Sequence, residues 1–548
     1  MPTVTIDDRT IEVERGTNLI EAAKRVGVQI PHYCYHPRLS VVGQCRMCLV
    51  QVDGSPKLAA GCATQVMKDG MVVRTDVPEV EEAQRGMMEF FLINHPLDCP
   101  ICDQAGECGL QDYAFKHGVA FSRFHFEDKR TYPGRERIPL GANVLLNMNR
   151  CIQCTRCIRF THEVSKTGEL GFFNRGARTE IGTFPGKPLD NPLATNVVDI
   201  CPVGALTSTR FRFAERVWYL TKGPSICTGC DAGCNVTLEH RRGRIRRYKP
   251  RFNPEVNDYW MCDYGRGTFE RYGNVGGETP RHEVPRVTRG GRPAAASWRQ
   301  ALDTVHAALA EAKGSGGNGK GAVAILGSGH LTVEEAYLLA RLAEHAGAHR
   351  AVAVEPGPER WVPNPEGGVT GREAAPNRRG AELAGLGGFG GDRGSAGFSA
   401  ADLLEGDAAA GCAVLIVAGH DLSAAAHDPA TVERLRRARF LVVAGWADTP
   451  LAKAADVALP LATHAEQEGT FVNSQWRLQR FEECFPSPGE ARPGVEALSD
   501  LLARFDPEWR GLGPAEVFDR LAAAVPAFAG LGYQTLPPTG APLAVPET

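Results

Sequence analysis

The 548-residue chain lacks any apolar run near the roughly 20 residues needed to cross a bilayer; stretches such as Ala413 to Ala418 are among its longest. The opening Met-Pro-Thr-Val-Thr-Ile-Asp-Asp has no basic start followed by an apolar core, so no secretory leader is expected and the compartment reads as cytosolic. A strong charge of one sign is also missing. The formal net charge of -3 gives no global attraction to nucleic acid or anionic lipid. Gly327-Ser328-Gly329 lacks the third glycine of a dinucleotide fingerprint and the lysine of a P-loop. Beyond Cys262 the chain holds only Cys412 and Cys484, which read as inert small residues.

The first half is the opposite. Of 17 cysteines, 15 join one histidine in four successive sets of four. In a reducing compartment, closely spaced cysteine pairs point to metal or redox work rather than disulfides. The first set is Cys34, Cys45, Cys48 and Cys62, with ten, two and thirteen residues between successive members. This is not the plant-type spacing, yet with the hairpin and helix before it the set suits a [2Fe–2S] ferredoxin fold. Gly43 and Gly61 are expected to let the backbone pass close to its sulfurs.

The second set, His95, Cys99, Cys102 and Cys108, would give a [4Fe–4S] cluster with one imidazole ligand. Neutral nitrogen in place of a thiolate makes such a cluster less negative, while burial and hydrogen bonds pull its potential either way. Cys151, Cys154 and Cys157 form the usual [4Fe–4S] tripod, and Cys201 followed by Pro202 is the usual fourth ligand. Cys227, Cys230, Cys234 and Cys262 repeat a [4Fe–4S] pattern. Structural zinc is the alternative for each all-cysteine set, and a zinc-stapled binding scaffold the alternative for the whole chain. Arg241 to Lys249 reads as a hairpin whose exposed basic face offsets the charge of the adjoining cluster rather than as a nucleic-acid patch.

Periodicity orders these sites. Val4 to Ile6 and Ile11 to Val13 flank a turn at Asp7-Asp8-Arg9, and Asn18 caps a helix from Leu19 to Val26 that stops at Gly27. Apolar residues recur at helical spacing from Pro78 to Asn94, leading into His95. Residues 121–218 are loop-rich and should depend on bound metal for order. From about residue 280, Ala, Gly and Pro dominate. Ser297 with Gln300 starts a helix through Leu309, strands are expected at Ala322 to Leu326, Ala413 to Val417 and Phe440 to Val443, and a helix at Val333 to Ala346. These suggest β-loop-α units on a parallel sheet, interrupted by a long mobile Gly/Ala-rich segment over 364–411.

Gly43-Gln44-Cys45-Arg46-Met47-Cys48, His95-Pro96-Leu97-Asp98-Cys99-Pro100 and Asn149-Arg150-Cys151-Ile152-Gln153-Cys154 resemble motifs of the large iron–sulfur subunit (the G subunit) of bacterial NADH-quinone oxidoreductase, respiratory complex I. The fourth set looks like the cluster domain opening molybdopterin oxidoreductases. Ala455-Asp456-Val457-Ala458-Leu459-Pro460 and Glu468-Gly469-Thr470-Phe471-Val472-Asn473 resemble a recurring segment of that superfamily. The resemblance implies a multidomain α+β and α/β chain. A [2Fe–2S] ferredoxin-like (β-grasp) domain spans 1–78, a [4Fe–4S] domain with one histidine and three cysteine ligands 79–118, and a [4Fe–4S] ferredoxin-like domain 119–218. A molybdopterin-type [4Fe–4S] domain follows over 219–275, then a degenerate molybdopterin-oxidoreductase-like α/β domain over 276–548.

It further implies one [2Fe–2S] and three [4Fe–4S] clusters, with no molybdenum cofactor, since residues 263–411 offer no metal-binding cysteine. Electrons from NADH and FMN in a partner subunit would enter at the Cys34 set and run through the His95 and Cys151 sites toward quinone-side iron–sulfur subunits. The Cys227 site would stand off this path as a structural element. The chain would be a peripheral subunit of a proton-translocating enzyme on the cytoplasmic side of the cell membrane, without a span and without nucleic acid. An iron–sulfur subunit of a soluble NAD-linked hydrogenase or formate dehydrogenase is the alternative.

Overall fold

The computed structural model describes residues 1–272, 280–314, 322–387 and 399–544, in two units, Met1–Leu220 and Thr221–Thr548. Among the described residues no helix is long and apolar enough to cross a membrane.

The first unit opens with the expected hairpin. Strands Thr3–Ile6 and Arg9–Glu12 pair antiparallel across Asp7 and Asp8, both with positive φ, as a two-residue hairpin turn requires. The sheet order is Arg9–Glu12, Thr3–Ile6, Met71–Arg74, Leu49–Val52, Ala59–Ala60, with Thr3–Ile6 parallel to Met71–Arg74. Helix Leu19–Arg25 lies over it, its start fixed by the Asn18 side chain accepting from Glu21 N at 3.1 Å. Val4, Ile6, Leu19, Ile20, Val50 and Val73 close a core that also takes Cys48 and Cys62. The sheet with one crossing helix is the expected β-grasp form.

Helix Pro78–Leu92 follows, and its end hands the chain to His95. Residues 121–218 hold only short elements, among them the strands Val144–Leu146, Leu170–Phe173 and Glu180–Thr183 and the helical turn Arg156–Arg159.

In the second unit, hairpin Asn235–Arg241/Arg244–Pro250 carries the basic run, with Arg247 on Glu239 at 2.8 Å. A seven-stranded sheet runs Arg292–Ala295, Arg286–Arg289, Val457–Pro460, Leu441–Gly445, Cys412–Ala418, Ala322–Ser328, His349–Ala353. Its last five strands are parallel, with Ile325 beside Ile416 and Val417 beside Val443. Helix Trp298–Gly314 begins at the Ser297/Gln300 capping box and runs five residues past the expected Leu309. Helix Val333–Ala346 matches its predicted range, with a second capping box between Thr332 and Glu335.

The segment 364–411, expected as a mobile loop, instead carries strand Val369–Glu373 and helices Arg378–Leu383 and Ala400–Leu404; its residues 388–398 lie outside the described residues. Several of its described glycines serve close packing. A Cβ on Gly371 would sit 2.5 Å from Cys230 Sγ, and one on Gly380 2.0 Å from Asn377 Oδ1. Buried Asn377 donates to Leu331 O and accepts from Val472 N, both at 2.7 Å. Gly327, read beforehand against a phosphate loop, packs on Leu386.

Candidate metal centres

The fold draws the four cysteines of the first set into the β-grasp core, where all are buried. They meet as two pairs, Cys34 with Cys45 and Cys48 with Cys62, each close enough for one thiol to shift the ionisation of the other. Two thiolates on each of two irons is the grouping a [2Fe–2S] centre needs. The Cys45 contact holds Cys34 down to about 5, and the Cys48 contact lowers Cys62. Tyr33 N points at Cys45 Sγ at 3.5 Å. Gly43 is required for its φ of +58°, and Gly61 approaches Cys48 O, so neither presses on a sulfur as expected.

In the second set, His95 follows the long helix and Cys99, Cys102 and Cys108 follow on tight turns. Burial, then the Arg150 charge, lowers His95 to about 4, leaving the neutral ring a metal ligand requires. Burial raises Cys102 and pushes Cys108 up to about 11, while Cys99 is exposed. Gly204 lies against this site: a Cβ there would fall 2.2 Å from Cys102 Sγ. Arg150, 3% exposed, reaches in and is paired with Asp98 at 2.8 Å.

Burial raises every thiol of the third set, Cys201 to about 12. Cys151, Cys154 and Cys201 act electrostatically on Cys157, which places all four together. Gln153 N faces Cys151 Sγ at 3.3 Å. The three sites of this unit adjoin. His95 and Cys151 line one cavity of about 200 Å³, Pro202 O accepts from Gly109 N at 3.1 Å, and Gln44 Nε2 donates to Gln153 O at 3.0 Å.

In the second unit all four cysteines of the fourth set are buried, and Cys227, Cys230 and Cys262 act together on Cys234. Burial pushes Cys227 up to about 12. Cβ atoms added to Gly265 and Gly371 would come within 2.8 Å of Cys227 Sγ and 2.5 Å of Cys230 Sγ. Asp231, between two of the cysteines, accepts from Arg372 N at 2.7 Å, Glu373 N at 3.1 Å and Arg379 Nη1 at 3.0 Å, fixing the loop.

Buried thiols resist ionisation unless a cation replaces their protons, and iron in a sulfide cage does so while binding one or two sulfurs per metal. Among the described residues no three His, Cys, Asp or Glu side chains are gathered for one metal ion. In an iron–sulfur cluster the protein sulfurs are shared among several irons rather than gathered on one.

At the carboxyl ends of the parallel strands, where such sheets take ligands, Asp421, His464, Trp446 and Tyr272 reduce the crevice to a cavity of about 40 Å³. Burial raises Asp421 to about 6 and lowers His420 to about 4. Cys412 and Cys484 stay protonated, both raised by burial to about 11.

Sequence reasoning passed over Arg150, Arg156 and Arg159. All three lie within two residues of a candidate ligand cysteine, and that spacing was the available signal.

Four successive donor sets, each in a segment matched by an iron–sulfur family model, define an iron–sulfur protein. The models are the 2Fe-2S iron-sulfur cluster binding domain over residues 1–78, the NADH-ubiquinone oxidoreductase-G iron-sulfur binding region over 84–123 and the NADH-quinone oxidoreductase subunit 3 ferredoxin-like domain over 141–207. The molybdopterin oxidoreductase Fe4S4 domain matches 220–273 and the molybdopterin oxidoreductase model 381–504.

Among curated relatives, the G subunit of NADH-quinone oxidoreductase from Streptomyces coelicolor is 42% identical over 347 residues, 63% of this chain and 39% of the relative. That of Rickettsia felis is 39% identical over 346 residues, 63% and 49%. The mitochondrial NADH-ubiquinone oxidoreductase 78 kDa subunit of Neurospora crassa is 44% identical over 303 residues, 55% and 40%. Over the aligned residues the chain is similar to the G subunits of NADH-quinone oxidoreductase. It spans less than half the length of these relatives. A crystal structure of NAD+-reducing [NiFe]-hydrogenase in the H2-reduced state aligns at 30% identity, covering 39% of this chain and 91% of that one, with a TM-score of 0.35.

Proposed function

We propose that this chain is the electron-relay subunit of an NADH-quinone oxidoreductase, carrying electrons from NADH and FMN in a partner toward quinone in a complex that translocates protons. The observation that carries the reading is that three donor sets adjoin in one unit, the first of them wholly buried. Clusters bound there supply one-electron transfer without bond-making on the chain. Cys34, Cys45, Cys48 and Cys62 would hold [2Fe–2S]; His95, Cys99, Cys102 and Cys108, and separately Cys151, Cys154, Cys157 and Cys201, would each hold [4Fe–4S]. The protein's own part is to fix these donors, keep His95 neutral and exclude water around the buried sulfurs.

Cys227, Cys230, Cys234 and Cys262 would hold a third [4Fe–4S] cluster as a structural centre of the second unit. No molybdenum is proposed, in keeping with a crevice filled by side chains. Exposed Leu97, Ile101, Phe213 and Trp218, on the loops around the second set, supply apolar surface for neighbouring subunits. We place the chain peripherally on the cytoplasmic side of the cell membrane.

Low-temperature EPR of the dithionite-reduced protein, with iron and acid-labile sulfide counted, tests the assignment. One [2Fe–2S] and three [4Fe–4S] centres are expected, and His95→Cys should retain the second cluster while altering its spectrum and potential. Absence of labile sulfide after anaerobic isolation overturns the reading.

A further inference from the structure

Among the described residues, one buried and one part-buried guanidinium group between the first and third donor sets have no carboxylate to balance them. Arg156 and Arg159 open and close the helical turn Arg156–Arg159, on either side of Cys157. Arg159 is 7% exposed. Its Nη2 donates to Cys34 O at 2.5 Å and Cys154 O at 3.3 Å, its Nη1 to Ser40 O at 2.5 Å, and its Nε to Thr155 Oγ1 at 3.1 Å. One side chain thus clasps the backbone of a ligand from each of two sites. Arg156 donates to Tyr35 O and, at 3.1 Å, to Ile200 O, the neighbours of Cys34 and Cys201. Its Nε has no partner.

All these acceptors are neutral. Among the described residues neither guanidinium has a carboxylate oxygen within 4.0 Å. Glu163, on the continuation of the same turn, is bonded to Ser40 N and Oγ instead. Arg150 beside the second set provides the contrast, since Asp98 balances it. A buried cation supplied only with carbonyl oxygens is costly unless negative charge stands nearby. All-thiolate iron–sulfur clusters carry net negative charge, which grows by one on reduction, and they are the counter-charge this pair lacks.

We propose that Arg159, with Arg156, is a positioning residue acting as the shared counter-cation of the first and third sites. It locks the Cys34 and Cys154 loops together and makes both clusters easier to reduce. This rests on the proposed reading that those two sets hold iron–sulfur clusters.

The test is redox-poised EPR on the full chain in its native complex, with iron and sulfide counted, for the unaltered protein and for Arg159→Gln, Arg156→Gln and Arg159→Lys. With clusters retained, each Gln variant should lower the reduced-to-oxidised ratio of the first and third centres about tenfold at fixed ambient potential, or about 59 mV for a one-electron couple. The second and fourth should hold, and Arg159→Lys should restore most of the shift. Unmoved first and third centres, or equal shifts in all four, overturn the inference. If the Gln variants shed the sulfide of these two sites, retention by Arg159→Lys upholds the requirement for positive charge, and equal loss there refutes it. An unaltered protein without clusters at these sets instead defeats the functional reading.

Discussion

Gly204→Ala isolates the second site by sterics alone. The added Cβ would lie 2.2 Å from Cys102 Sγ and 3.1 Å from Gln104 Cβ, where ordinary contact begins near 3.4 Å. The backbone at Gly204 does not need glycine, since its φ is not positive. Most of the effect therefore falls on the sulfur, which must retreat by about 1.2 Å from its place against Gly204, while Gln104 need give only a few tenths of an ångström. Metal–ligand distances tolerate only about 0.2 Å, and Cys102 is 8% exposed, with little room to move. Overpacking of this kind costs about 1–3 kcal/mol.

Anaerobically purified Gly204→Ala should lose about four irons and the matching sulfide per chain, a full [4Fe–4S] centre. The His95-type EPR signal should vanish while the [2Fe–2S] signal persists. A variant with unchanged iron and an unaltered second-site spectrum would refute the assignment of Cys102 as a ligand.

Gly86→Ala, in helix Pro78–Leu92 with no atom within 4 Å of the new methyl, should stabilise that helix by about 0.5–1 kcal/mol and slow its amide exchange. Asp231→Ala should cost about 2–3 kcal/mol by stranding Arg379 and two amides, read as faster proteolysis within residues 364–387. His420, lowered from 6.5 to about 4 by burial, binds its proton mainly when unfolded, so its contribution is complete above pH 6.5 and is lost toward pH 4. Relative to His420→Gln, stability should fall on acidification with a slope approaching about 1.4 kcal/mol per pH unit, measured by exchange in strand Cys412–Ala418.

The helix-and-strand frame was legible because it is periodic: Asn18 caps where expected, and Val333–Ala346 carries its amphipathic repeat intact; the cysteine spacing likewise marked the segments that iron–sulfur models match. What stayed hidden depends on distant packing. The Gly/Ala run over 364–411 looks like a linker locally, yet Gly371 is small because Cys230 stands against it from more than a hundred residues away. Gly43 and Gly61 were credited with approaching sulfur, a role that Gly204, Gly265 and Gly371 fill. Arg159 looked like any charged residue, and its meaning comes from the two carbonyls it joins.

Among the cysteines of the four sets, Cys99 alone is exposed. A sulfur open to solvent is equally open to peroxide and dioxygen, and oxidation climbs irreversibly once past sulfenic acid. Corrosion of the isolated chain would begin at that position. A neighbouring subunit seated over it would serve as a shield, tying the molecule's endurance in air to the company it keeps.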